Sequence, residues 1–346
     1  MKTQYWLVDH LSTNLKDCPQ IFQAAQLLKQ NEVVAFPTET VYGLGANAKS
    51  DEAVAKIYEA KGRPSDNPLI IHISKKEQLK ELVGDHPEWV DLLIERFWPG
   101  PLTLVLPKKA GLSDMATAGL PTVGVRMPNH PVALALIEAA GLPIAAPSAN
   151  LSGKPSPTSA RHVLDDLDGR IAGIIDGGVT GVGVESTVLD CSEENPVILR
   201  PGSITKQQLE ELIGNVRLDQ ALLDRHELPK APGMKYAHYA PEAPMFIVEG
   251  SSEFLQSLVA KEKEKGKRVG VLTTEENESF YTADKVIACG KRSNLQAVAN
   301  SLYHSLRKFN EDELDVIFSE SFPQEGIGQA IMNRLLKAAS HRVIRQ

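Results

Sequence analysis

The chain has 346 residues, 42% of them hydrophobic and 23% charged, with a formal net charge of −7, a make-up expected of a soluble globular protein long enough for two domains with a core each. No apolar run approaches the roughly 18 residues of a membrane span, and the N-terminus lacks the apolar core and cleavage site of a signal peptide, so no membrane role and a cytoplasmic address are expected. The acidic balance argues against an extended nucleic-acid surface, since phosphate neutralisation dominates such binding; three scattered cysteines and nine histidines without ligand spacing exclude a readable disulfide framework or transition-metal site.

In chain order, Gln20 to Gln30 places apolar residues at helical spacing behind Pro19 and predicts an amphipathic helix. It feeds a strand at Val33 to Phe36. The strand stops at Pro37 and releases Thr38, Glu39, Thr40 and Tyr42 before Gly43 and Gly45. Proline removes a ladder donor and glycine costs backbone entropy, so this density of polar side chains reads as a candidate site more than as a connector. Asp51 to Ala60 predicts a second helix, capped by Ser50 and ended by Gly62. Lys61 to Asn67 then gathers Lys61 and Arg63 in a short proline-containing loop before a strand at Leu69 to Ile73. Its cations suit phosphate oxygens, and they equally suit the negative end of a helix dipole; the segment alone supports both readings. His72, inside the apolar run, reads as a core histidine.

Trp98 to Pro101 reads as a turn into a strand at Leu102 to Leu106, and Leu120 to Pro128 as a further strand. Within the latter, Thr122, Gly124 and Arg126 alternate with Val123 and Val125 and share one face, where the glycine leaves room beside the charge. That face predicts an anion. After a helix at His130 to Ala140, a short strand at Leu142 to Ala146 opens into a loop rich in hydroxyl and amide groups, including Ser148, Asn150, Ser152, Ser156 and Thr158. No Gly-x-Ser-x-Gly elbow surrounds Ser148 and no base is paired with it, which argues against covalent serine catalysis. A strand at Ile171 to Ile175 runs into Gly177, Gly178, Gly181 and Gly183, whose order is not that of a Walker loop. Val197 to Leu199 is a strand ending at Arg200, followed by a helix at Ser203 to Leu212.

From Leu228 the periodicity is lost and the chain reads as a linker, yet Lys235, Tyr236, His238 and Tyr239 are more basic and aromatic than a spacer needs. A linker lying over a site would use such residues. Beyond it, strands at Pro244 to Val248, Arg268 to Thr273, Lys285 to Ala288 and Asp315 to Ser319 alternate with helices at Glu253 to Lys265, Asn294 to Phe309 and Ile327 to Ala339, predicting a small parallel α/β domain. Gly326 and Gly328 lack the third glycine of a dinucleotide fingerprint. With Arg63, Arg126 and Arg200 at strand ends among many serines and threonines, the residues by themselves support an anion-activating enzyme or an RNA-binding fold.

Several long motifs, in order along nearly the whole chain, closely resemble those of the YrdC-like superfamily: Phe36-Pro37-Thr38-Glu39-Thr40-Val41-Tyr42-Gly43-Leu44, Lys61-x-Arg63-Pro64-x-x-Asn67-Pro68-Leu69, Val125-Arg126-x-Pro128, Pro147-Ser148-Ala149-Asn150-x-Ser152-Gly153 and Glu185-Ser186-Thr187-Val188. Gly233-Met234-Lys235-Tyr236-x-His238-Tyr239-x-Pro241 and Gly326-x-Gly328-x-Ala330-Ile331-Met332-Asn333-Arg334 resemble its longer, two-domain form. The resemblance implies an α/β fold: a YrdC-like twisted mixed sheet with helices over 1–213, a linker at 214–242 that would cover the active site, and a smaller Rossmann-like parallel α/β domain over 243–346. It implies a nucleotidyltransferase that makes threonylcarbamoyl-AMP (L-threonylcarbamoyladenylate) from L-threonine, bicarbonate and ATP with release of pyrophosphate. The product would pass to tRNA-modifying proteins for threonylcarbamoyladenosine formation next to the anticodon, with transient tRNA contact left open.

Carried over residue by residue, the resemblance implies that Thr40, His72, Arg126, Ala146 and Ser186 hold threonine. Arg63, Asn67, Thr122, Ser148, Ser156 and Arg200 would hold ATP, with Tyr236 or Tyr239 closing over it and Mg2+ arriving on the nucleotide without a dedicated protein site. No catalytic side chain is implied, because carbamate formation followed by attack on the α-phosphorus needs positioning and charge neutralisation. On this reading Thr38, Glu39 and Tyr42 shape the wall. The alternatives are an RNA-binding module and a carbamoyl-transfer or hydrolase activity on the same fold.

Overall fold

The computed structural model describes residues 2–12, 14–219 and 239–346. The chain divides into one unit of Met1–Ser152, Pro157–Gly181 and Glu185–Lys235 and a second of Gly153–Ser156, Val182–Val184 and Tyr236–Gln346. Most of the expected linker, including Tyr236, lies outside the described residues.

The first unit is built on an eleven-stranded mixed sheet among the described residues. Its strands are β1 (Gln4–Leu7), β2 (Val34–Phe36), β3 (Gly43–Asn47), β4 (Ile70–His72), β5 (Leu102–Pro107), β6 (Thr122–Arg126), β7 (Ile144–Ala145), β8 (Gly173–Asp176), β9 (Thr187–Asp190), β10 (Val197–Arg200) and β11 (Arg217–Leu218). They lie in the order β1-β8-β2-β3-β7-β4-β6-β5-β9-β10-β11. Seven helices accompany them: α1 (Pro19–Lys29), α2 (Asp51–Lys61), α3 (Leu79–Leu82), α4 (Trp89–Phe97), α5 (Pro131–Ala140), α6 (Ala160–Leu167) and α7 (Lys206–Ile213).

Alternation along β2 divides the core. Val34 and Phe36 join α1 and α5 in one cluster, with Ile21, Ala24, Leu28, Val132 and Leu136. Val33 and Ala35 face the other, with Val54 and Ile57 of α2, Val90 and Leu93 of α4, and Val163 of α6. Side chains at successive strand positions point to opposite faces, so the sheet is covered by helices on both.

Two departures from expectation shape the site. The chain after Pro37 returns as a strand, β3, antiparallel to β2 with Phe36 opposite Gly43. A Cβ at Gly45 would lie 2.8 Å from both the Phe36 ring and Ile144, so glycines that look like loop residues are there to admit an aromatic ring. The strand expected over 142–146 pairs only at Ile144–Ala145, bounded by Pro143 and Pro147, whose carbonyls accept from Ala48 and Leu44 but which have no N–H to donate.

The second unit carries β12 (Met245–Glu249), β13 (Val269–Thr273), β14 (Lys285–Ala288), β15 (Val316–Glu320) and β16 (Val343–Arg345), with α8 (Ser252–Glu264), α9 (Leu295–Lys308) and α10 (Gly328–Ala338). The sheet order is β14-β13-β15-β12-β16 and every pairing is parallel, as the alternation of strands and helices predicts. At the end of β15 the buried Glu320 accepts from Thr273 at 2.8 Å, Asn277 at 2.8 Å and Tyr281 at 2.7 Å, and Arg292 closes the cluster at 2.6 Å. A buried carboxylate with this many donors is satisfied in place.

Candidate active site

Arg126 is the centre of the first unit's polar interior. On β6, Val123 and Val125 enter the core while Arg126, 4% exposed, turns to the opposite face with half-buried Thr122 and Gly124. Arg126 Nη1 donates to Thr40 Oγ1 at 3.0 Å and Nε to the Gly100 carbonyl at 3.3 Å. Its Nη2 stands 2.6 Å from Glu39 Oε2. That contact is an ion pair without hydrogen-bond alignment, and Nη2 and both Glu39 oxygens make no hydrogen bond.

The turn that delivers Glu39 and Thr40 is held from inside. Thr38 Oγ1 donates to the Val41 carbonyl at 2.6 Å and lies 2.9 Å from Thr40 Oγ1. It also accepts from the backbone N–H groups of Thr40 at 3.2 Å and Val41 at 3.3 Å, a side-chain substitute for backbone turn bonds. Tyr42, the next polar residue, donates to the Gly178 carbonyl at 2.7 Å. Burial and the neighbouring Asp176 push its phenol pKa well above the usual value, so it stays neutral and ties the turn to the glycine loop.

His72 on β4 stands opposite Arg126 in the parallel pairing of β4 and β6. Its Nδ1 lies 3.1 Å from the Ile70 carbonyl, and its ring meets Phe36 edge-on with centroids 6.0 Å apart. Burial, and after it the Arg126 charge, lower its pKa to about 3. The imidazole is therefore neutral at physiological pH. Two strands away, Ser186 Oγ lies 2.8 Å from Thr103 Oγ1, and Arg200 donates to Ser186 through Nη2 to Oγ and through Nε to the carbonyl, both at 3.1 Å. Thr40 thus meets Arg126 from the turn between β2 and β3, His72 stands opposite it across β4 and β6, and Ser186, just before β9, joins Thr103 of β5 to Arg200 of β10; Ala146 packs beside Gly43 and Phe36.

Arg63 follows the left-handed Gly62 that ends α2, and its Nη2 donates to the Asn67 carbonyl at 3.4 Å. Asn67 is 1% exposed, yet neither atom of its side-chain amide has a partner. A buried amide left unpaired is costly, and a ligand with one donor and one acceptor would satisfy it. Lys61 is the last residue of α2 and turns inward: its ammonium donates to the carbonyls of Ser148 at 2.5 Å and Asn150 at 2.6 Å, so it ties the end of α2 to the loop that carries those two residues.

Ser148 is half-buried and bridges to Gly43. Thr122 shares the face of Arg126 but starts the strand that Arg126 ends, roughly 13 Å apart at strand rise. Ser156 and Tyr239 belong to the second unit; Ser156 is fully buried, and Tyr239 packs against Tyr303 with ring centroids 5.1 Å apart. Glu39, Thr38 and Thr103 are polar members of the interior to which the motifs assign no binding role. Glu39 carried a signal, an acid beside two threonines after a strand, but nothing in the sequence pairs it with Arg126. Among the described residues no group of three or more His, Cys, Asp or Glu could hold a metal ion, and no helix is long and apolar enough to cross a membrane.

Comparison with known proteins finds relatives of this chain along its whole length. A family model, Sua5_yciO_yrdC, described as telomere recombination, matches residues 26–202, and the threonylcarbamoyl-AMP synthase C-terminal domain matches residues 204–340. The chain is 62% identical to a threonylcarbamoyl-AMP synthase of Bacillus subtilis (strain 168), with 100% of each chain covered. It is 50% identical to one of Pyrococcus abyssi (strain GE5 / Orsay), over 93% of this chain and 94% of that one. A crystal structure of P. abyssi Sua5 complexed with L-threonine matches with a TM-score of 0.92 at 47% identity, covering 100% of both chains.

Proposed function

This chain belongs to the Sua5–YciO–YrdC family in its two-domain form, and on that premise we propose that it joins L-threonine, bicarbonate and ATP into threonylcarbamoyl-AMP with release of pyrophosphate. The activity is that of a nucleotidyltransferase serving tRNA modification. The observation that carries the reading is the buried cluster in which Arg126 meets Thr40, the arrangement expected of a pocket for an amino acid carboxylate, in a chain whose full-length relative is complexed with L-threonine.

In this reading Arg126 neutralises the threonine carboxylate while Thr40, neutral His72 and Ser186 fix the rest of the molecule and Ala146 bounds it. The threonine nitrogen takes up the carbon of bicarbonate to give a carbamate. A carbamate oxygen then forms a bond to the α-phosphorus, the bond from that phosphorus to the β-phosphate bridge breaks, and pyrophosphate leaves. Arg63 and Arg200 offset phosphate charge, Asn67 pairs its free amide with the nucleotide, and Ser148 and Thr122 complete the ATP contacts made by the first unit. Mg2+ enters as part of the nucleotide substrate. Fixed donors and charges of this kind supply positioning and electrostatic stabilisation without a side-chain nucleophile.

The product is an activated mixed anhydride, so it is handed to tRNA-modifying proteins, and the cytoplasm is where they would meet. The test is pyrophosphate release by the purified chain with ATP and bicarbonate, with and without threonine. Threonine-dependent release is expected; release that ignores threonine, or none, overturns the reading. Arg126→Ala should raise the threonine requirement at least tenfold more than the ATP requirement, about 1.4 kcal/mol of selective loss.

A further inference from the structure

The ion pair of Glu39 and Arg126 places opposite charges 2.6 Å apart in the interior, and threonine presents the matching pair, a carboxylate and an ammonium on one carbon. Arg126 is 4% exposed and the Glu39 side chain 12%. Both Glu39 oxygens and Arg126 Nη2 are buried without a hydrogen bond, although Arg126 satisfies its other nitrogens on Thr40 and Gly100. His130, which interacts electrostatically with Glu39, has its pKa lowered to about 4, and His72, which stands opposite Arg126, has its pKa lowered to about 3, in both cases mainly by burial. His130 ends the approach to α5 with an unpartnered Nδ1 and has His10 beside it, ring centroids 6.2 Å apart. Arg126 is the cation in direct contact with Glu39.

We infer that Glu39 binds the ammonium of threonine and takes its proton, freeing the amine for carbamate formation; the inference rests on the synthase reading given above. Threonine's carboxylate engages Arg126 and draws that charge away from Glu39. The ammonium donates one proton to the carboxylate oxygen it contacts, leaving a neutral amine and a carboxylic acid. The amine nitrogen then forms a bond to the carbon of bicarbonate, whose hydroxyl leaves as water with a proton from that nitrogen. Ammonium, carboxylate and bicarbonate become carbamate, carboxylic acid and water, with atoms and charge conserved. Glu39 is thus a catalytic residue that touches substrate, and its proton returns to solvent when threonylcarbamoyl-AMP departs.

The test compares Glu39→Gln, which keeps the shape but cannot take a proton, with the full-length wild-type enzyme in threonine-dependent pyrophosphate release from pH 6.5 to 9. The expected result is a loss of about 100-fold at pH 7, in the range for a general base, recovered by up to about tenfold per pH unit as solvent deprotonates the amine. A wild-type turnover number in Glu39→Gln, or a loss constant across the pH range, overturns the inference. If wild-type protein shows no threonine-dependent release, the synthase reading fails first, which keeps the two failures distinct. A second measurement needs no variant: wild-type enzyme should bind 2,3-dihydroxybutanoate, threonine with its amine replaced by a hydroxyl, at least tenfold more weakly than L-threonine. Equal affinity removes the ammonium partner and the inference with it.

Discussion

His72 and Arg126 stand opposite each other on neighbouring strands, and burial next to a guanidinium decides the protonation of the imidazole. Its ordinary pKa near 6.5 falls to about 3 in the folded chain. Above about pH 6.5 the ring is neutral in both folded and unfolded states, so the full stability is present. As pH falls below that, the unfolded chain binds a proton that the folded chain refuses until about pH 3, and stability is lost at up to about 1.4 kcal/mol per pH unit. His130, lowered to about 4, acts in the same direction over a narrower window. Urea unfolding at pH 7, 6 and 5 should therefore show a decline that is shallower in His72→Gln than in the wild type; parallel declines would assign the acid sensitivity elsewhere. The sequence could suggest that His72 lies in a core, but not that a charge lies across from it, because that neighbour comes from register and not from the chain.

At the scale of elements, α2 shows how a helix end can prepare a site. Ser50 caps its start by accepting from Ala53 N–H at 3.2 Å, and Gly62 ends it in the left-handed region with φ 60 and ψ 40, where a Cβ is strained whatever the space around it. That turn delivers Lys61 inward and Arg63 to the loop. Gly62→Ala should cost about 1 kcal/mol of stability in urea unfolding; an unchanged midpoint would mean the cap relaxes without strain. Helix α2 is legible from its apolar spacing and its Ser50 and Gly62 boundaries. β3 is not, because Gly43-Leu44-Gly45 carries little strand propensity and forms a strand only against β2. α3, α4 and α6 add to the elements expected from sequence, as do β1, β9 and β11 in the first unit and β16 in the second.

The molecule as a whole carries a net charge of −7, and its described cations at the site are engaged inward, Arg126 on Thr40 and Glu39 and Arg200 on Ser186. Contact with tRNA should be weak: in a fluorescence-anisotropy titration at physiological salt the dissociation constant is expected above about 1 µM, in the range of non-specific binding. Nanomolar binding would revive the RNA-binding alternative.

Local patterning alone determines much here: the α/β class, the two domains, most strands and helices, and a set of motifs long enough to identify the family. Those signals are legible because hydrophobic period, proline and glycine act within a few residues along the chain. What only the tertiary structure decides is which polar groups meet. Thr40 and Arg126 are 86 positions apart and Lys61 and Ser148 are 87 apart, and no period in the chain encodes such partners. So the resemblance points to Arg126 as a threonine ligand, but the half-buried Glu39 beside it, with no hydrogen bond of its own, emerges only when the turn between β2 and β3 meets the end of β6.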